Sequence, residues 1–133
     1  MDLITDLPPV DRCDSILVVV DRGNTKRAIL IPTTKTLTQE GAGQLLLDNL
    51  CKRFGLPDEM LSDRGPQFVA MAFRKLLKLL GIKSNLTTAY HPQTDGATEQ
   101  VNQKKEAYLA IYCSAHPTEW KNLLSTLEFT HNN

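Results

Sequence analysis

Cysteine is scarce in this chain: Cys13, Cys51 and Cys113 are odd in number and far apart, which argues against a small scaffold held by disulfides. Long hydrophobic runs are missing too. The apolar run from Ile16 to Val20 is far shorter than the roughly 20 residues a membrane-spanning helix needs. The opening Met1-Asp2-Leu3-Ile4-Thr5-Asp6 lacks the basic segment of a signal peptide. Together these absences predict a reduced protein inside the cell, nuclear or cytoplasmic, with no membrane partner. Internal repeats, low-complexity tracts and long linkers are also absent. Nor is there a basic excess. Fifteen Lys and Arg balance fifteen Asp and Glu, which counts mildly against a nucleic-acid binder. Divalent cations at an acidic site would reverse that balance locally, and Arg74, Lys75, Lys78, Lys83, Lys104 and Lys105 are on hand elsewhere.

What is present suits one globular domain: 133 residues, 41% apolar and 23% charged, enough to bury a core without staples. The seven prolines read as borders between elements, since proline is poorly tolerated inside helices and central strands. Between them the pattern predicts strands over about 2–7, 15–21 and 26–31, with Gly23-Asn24 as a hairpin turn. The second strand is apolar on both faces, as a doubly buried strand is. A helix over about 38–54 presents Ala42, Leu45, Leu46, Asn49 and Leu50 on one face, weakened by Gly41 and Gly43 at roughly 1 kcal/mol each. Met60-Leu61-Ser62 reads as a short strand ending at Asp63. Phe73, Leu76, Leu77 and Leu80 form a helical stripe closed by Gly81, and 83–86 reads as a fifth strand. A helix over about 96–113 is expected to pack through Val101, Tyr108, Ile111 and Tyr112, and a last one runs over about 117–131. The order predicts an α/β fold: a five-stranded mixed sheet flanked by helices, its first strand central.

Three carboxylates stand out. Asp63 lies in Ser62-Asp63-Arg64-Gly65-Pro66-Gln67-Phe68, where a strand runs into a turn. Glu99 follows Tyr90-His91-Pro92-Gln93-Thr94-Asp95-Gly96-Ala97-Thr98, a loop that opens a helix. Asp2 sits on the first strand. Singly, each has an ordinary role: a turn former, a carboxylate favoured by the helix dipole, a solvated terminal residue. As a group at the rim of a sheet, three anions repel unless divalent cations lie between them. That chemistry points to phosphoryl transfer on nucleic acid.

The blocks that carry this pattern resemble a known family. Met1-Asp2-Leu3-Ile4-Thr5, Ile16-Leu17-Val18-Val19-Val20-Asp21-Arg22, Leu56-Pro57-Asp58-Glu59, Ser62 to Phe68, Ala89 to Gly96 and the closing Glu128-Phe129-Thr130-His131-Asn132-Asn133 are similar, in order and spacing, to the catalytic core of retroviral-type integrases of gypsy-type LTR retrotransposons. The resemblance spans essentially the whole chain. It implies a ribonuclease-H-like fold, a DDE triad at Asp2, Asp63 and Glu99, and two Mg²⁺ (or Mn²⁺) ions as cofactors. It also implies 3′-end processing and strand transfer on element ends and target DNA, and a homo-oligomer in the full-length family. On this reading residues 1–133 are a catalytic core truncated at both ends, without the family's zinc-binding or C-terminal DNA-binding module.

Tyr90, His91 and Gln93 in the loop, and Asn102, Lys104 and Lys105 on the helix, are the candidate DNA contacts. A loop anchored by its aromatic and a solvated lysine face are their ordinary counterparts. Cys113-x-x-His116 has no second ligand pair at zinc spacing, so a zinc site is rejected. Asp6, Gly23-Asn24, Gly41 and Ala97 depart from the family's usual residues. Two other readings stay open: a metal-dependent nuclease of the same fold, and an inactive or domesticated remnant that binds nucleic acid or another protein.

Overall fold

The computed structural model describes residues 1–21, 27–55, 62, 66–81 and 96–132, with the backbone alone at 66, 96–102 and 131. The chain divides into two compact units: Met1–Asp2 with Thr36–His91, and Leu3–Lys35 with Pro92–Asn133.

The second unit holds β1 (Asp2–Ile4) from Leu3 onward, β2 (Ser15–Val20) and β3 (Ala28–Thr33), in the order β1-β2-β3. Strand β2 runs antiparallel to β3, from Ser15 opposite Thr33 to Val20 opposite Ala28. Its β-branched run suits a pleated surface, and both faces are buried as the pattern predicts. Ile16, Val18 and Leu30 enter a cluster with Leu7, Leu109, Cys113, Trp120, Leu124 and Leu127. Leu17, Ile29 and Ile31 are buried as well. Each such side chain contributes roughly 1.5–3 kcal/mol on leaving water.

Three strands, not the expected five, stand among the described residues, with β1 at one end of their order. The positions expected for the two further strands, 60–61 and 83–86, lie outside the described residues. Strand β1 is also shorter than expected. Asp6 turns out of it at φ 61, and Leu7 N–H then donates to Asp14 C=O at 2.9 Å. Val10 and Cys13 exchange two backbone hydrogen bonds of 2.8 Å around Asp11 and Arg12, at φ 48 and 67. Two central residues at positive φ make this a tight hairpin of the type I′ kind.

Helix α4 (Gly96–Ala115, in this unit) follows its expected bounds and its expected face only in part: Tyr112 packs against the core cluster, but the face is turned. Leu109 and Cys113 are buried while Tyr108 is 64% and Ile111 70% exposed. One residue rotates a helix by about 100°, and the buried face lies one position from the one counted. After α4 the chain turns. His116 C=O accepts from Glu119 N–H at 3.2 Å and Trp120 N–H at 3.1 Å, and α5 (Leu124–Asn132) starts later than expected. Trp120 is fully buried, its indole N–H donating to Pro8 C=O at 2.7 Å.

Beyond Met1–Asp2, the regular structure described in the first unit is helical. The α1 helix (Gln39–Leu46) is capped by Thr38, whose Oγ1 accepts from Gly41 N–H at 3.0 Å. It passes through a π turn (Leu47–Cys51) into a last turn, α2 (Lys52–Phe54). Helix α3 (Pro66–Leu79) begins on Pro66, where a missing N–H costs nothing. It buries Phe68, Val69, Ala72, Phe73, Leu76 and Leu77. Leu80 falls past its end and is 40% exposed, and Gly81 at φ 73 closes it. Gly43 sits where α1 crosses α3: a Cβ there would lie 2.8 Å from Ala72 O and 2.8 Å from Lys75 Cβ. The glycine that weakens α1 on propensity alone is therefore required for packing.

Candidate functional site

Asp2 opens β1, half-buried, beside the buried strand β2. Glu99 is the fourth residue of α4, so it lies in the first turn, where the helix dipole stabilises a carboxylate. Asn102 follows three residues later on the same helix, a spacing that puts two residues on one face. The side chains of Glu99 and Asn102 lie outside the described residues, as do Asp63, Tyr90, His91 and Gln93. Lys104 and Lys105 are exposed on α4. Among the described residues no group of three or more His, Cys, Asp or Glu side chains is placed to hold a metal ion.

Two of the acids between β1 and β2, Asp6 and Asp14, hold the connection between those strands. Asp6 is exposed and ion-paired with Lys35 at 3.7 Å, and its carboxylate accepts from Thr5 Oγ1 at 3.3 Å. Asp14 accepts from Lys35 N–H at 3.0 Å and Ser15 Oγ at 2.9 Å. Both are engaged in local turn structure. The Cys113 and His116 pair is likewise occupied by packing. Cys113 is fully buried, its thiol pushed up to about 11 by desolvation, and the His116 ring lies 4.4 Å from that of Tyr112.

Two polar residues escaped the sequence reading. Glu128 and Asn132, one turn apart on α5, bond the backbone of β3 at Leu30 and Ala28. Their signal was present as an i, i+4 polar pair on the closing helix, but it cannot be told from a solvated face without the strand beside it.

Residues 1–92 match the family model described as integrase core domain. That stretch includes Asp2 and Asp63. The chain is similar to the transposon Tf2-3, Tf2-4 and Tf2-5 polyproteins of Schizosaccharomyces pombe, 35% identical to each over all 133 of its residues. It spans 10% of the length of these relatives. Among the described residues, no helix is long and apolar enough to cross a membrane. With a family match that runs from β1 through α3 and relatives similar over all 133 residues of this chain, the chain belongs to the integrase core domain family.

Proposed function

We propose that this chain performs DDE-type, divalent-metal-dependent polynucleotidyl transfer on DNA, as the catalytic part of a longer retrotransposon integrase. The observation that carries it is the integrase-core match over residues 1–92, joined to an α4 that opens at Gly96 and so sets Glu99 in its first turn. The donor set fits the cofactor: Asp2, Asp63 and Glu99 offer carboxylate oxygens alone, the ligands that hard cations such as Mg²⁺ and Mn²⁺ take. When bound, two such ions supply the activation of water or a 3′-hydroxyl and the neutralisation of the leaving oxygen. The chain's own residues orient the reaction. Asp2 is carried on a strand beside the buried β2, a rigid support for a ligand. Glu99 belongs to the first turn of α4, where a helix N-terminus favours a carboxylate. Lys104 and Lys105, exposed on α4, are offered to phosphate, while Tyr90, His91, Gln93 and Asn102 are assigned to the DNA end.

Element ends and target DNA are the proposed substrates, in a homo-oligomer of the full-length protein within the nucleus. The isolated chain is expected to be weakly active or inactive. An assay of the full-length protein with short DNA duplexes and Mn²⁺ separates the readings. The proposal expects 3′-end trimming and joining, both lost in Glu99→Gln, and a calorimetric Mn²⁺ signal lost in Asp63→Asn. Nicking without joining would favour a nuclease of the same fold. DNA binding with neither reaction, or an activity that survives Glu99→Gln, would overturn the catalytic assignment in favour of a binding module or another mechanism.

A further inference from the structure

Strand β3 ends the described sheet order, and an edge strand exposes a row of backbone groups ready to pair with another strand. Here three of those groups are taken: Ala28 N–H, Ala28 C=O and Leu30 N–H. Asn132 Oδ1 accepts from Ala28 N–H at 2.6 Å, and its Nδ2 donates to Ala28 C=O at 2.9 Å. The carboxamide thus makes the two bonds that a neighbouring antiparallel strand would make. Glu128 Oε1 accepts from Leu30 N–H at 3.0 Å. Residues 28 and 30 therefore turn their backbone away from β2, and Thr33, of opposite parity, turns inward, its C=O accepting from Asp14 N–H at 3.1 Å.

The spacing explains how a helix can do this. Four residues of α-helix advance about 6 Å, and two residues of strand advance about 6.8 Å. Positions 128 and 132 of α5 thus keep step with 30 and 28 of β3, running the opposite way. The next step sets position 124 against position 32. Pro32 has no N–H to offer there, and Leu124 is apolar and buried in the core. Pro32 lies inside β3, against the expectation that it ends the strand, because the outward parity needs no donor from it.

We infer that Glu128 and Asn132 are an edge guard, occupying the backbone groups through which β3 would otherwise pair with β3 of a second copy of this chain. The outward groups suit a second copy because they are self-complementary. An antiparallel pair centred on Ile29 sets Ala28 against the other copy's Leu30 and closes four backbone bonds, none of which needs an N–H at Pro32. Such a pair has two-fold symmetry, the commonest form of association.

The test uses the full chain with Asn132→Ala and Glu128→Ala together. Trp120, the single tryptophan, is fully buried and reports through its emission that the core is folded. In dilute solution the Ala28 and Leu30 amides are expected to exchange on the order of tenfold faster than in the parent, while Ile29 and Ile31 keep their protection. As concentration rises, sedimentation should show self-association about tenfold tighter than the parent's, with protection at Ala28 and Leu30 regained. Adding Ala28→Pro, which removes an outward N–H and leaves the β2 ladder intact, should return association to the parent's level. Where the double variant loses the Trp120 signal, Asn132→Leu alone is read in the same way at Ala28. Unchanged exchange at Ala28 would overturn the guard. Open amides with unchanged association would overturn the second copy as the occupant.

Discussion

Arg12 holds its backbone at φ 67, a region where an L side chain crowds the following carbonyl at a cost of roughly 1–2 kcal/mol. Asp11 before it, at φ 48, is better suited, because a short polar side chain tolerates that region. Arg12→Gly would create Asp-Gly, the favoured pair for this turn. It is expected to raise stability by about 0.5–1 kcal/mol, after the extra freedom glycine brings to the unfolded chain is subtracted. A higher urea midpoint with an unchanged slope is the expected reading. A lower midpoint would mean that the arginine side chain stabilises the fold by more than its strain costs. Cys113 makes a second case. Its thiol, 9.0 in its ordinary state, is pushed up to about 11 by burial, so between those values the native chain holds a proton that the unfolded chain has lost. Stability is therefore fully present below pH 9 and falls as pH rises toward 11, by about 1.4 kcal/mol per pH unit at most. Cys113→Ala should be less stable throughout, and should lack that part of the decline. Parallel pH profiles for the two proteins would contradict the buried thiol.

Between helices the informative residue is Gly43. Alanine should favour α1 by roughly 1 kcal/mol on propensity. The Cβ would, however, lie 2.8 Å from a backbone oxygen of α3, which cannot swing aside as a side-chain tip can. Gly43→Ala is expected to destabilise by about 1–3 kcal/mol, measurable as a lower melting temperature. Gly41→Ala, whose nearest neighbours are side-chain atoms at 3.2 Å, should cost less. This contrast marks where sequence reading succeeds and where it stops. The doubly apolar β2, the length of α1 with its last turns, the Gly81 stop and the start of α4 at Gly96 were all legible, because each rests on local pattern. The crossing at Gly43, the parity of Pro32 and the pairing of Glu128 and Asn132 with β3 were not, since each depends on a partner element far along the chain. The Val10–Cys13 hairpin was hidden for another reason: its turn lacks the glycine that usually marks one. On α4 the four residues of the expected face, Val101, Tyr108, Ile111 and Tyr112, outnumbered the two cues for the buried one, Leu109 and Cys113. Of the candidate site, sequence located Asp2 on a strand and Glu99 in a helical first turn, and the structure has them there.

For the whole chain, membership of the integrase core domain family carries a ribonuclease-H-like α/β fold, with the three described strands as its antiparallel part. A formal charge of zero leaves little general attraction for DNA, so affinity is expected to be modest, nearly independent of sequence and steeply salt-dependent. Lys104 and Lys105 are the exposed cations on α4 nearest to Glu99. Each phosphate contact adds about 0.9 to the magnitude of the log–log salt slope on duplex DNA. Replacing both with Gln should reduce that slope by about 2 if both meet phosphate. An unchanged slope would return them to a solvated helix face. EDTA should weaken binding in the parent by restoring the repulsion between the acids and phosphate.

The order in which the chain is made adds a constraint of its own. The second unit is written in two instalments, Leu3–Lys35 and Pro92–Asn133. Asn132 reaches Ala28 across 104 positions, and Trp120 reaches Pro8 across 112. At synthesis rates of about 5–20 residues per second, the early strands wait roughly 5–20 s for the residues that complete them. During that interval β3 has a bare edge and β2 an uncovered apolar face, while neighbouring ribosomes on the same message make the same strand. The nine residues of α5 thus set a time as well as a shape: until they emerge, the chain is as ready to pair with a sister as with itself.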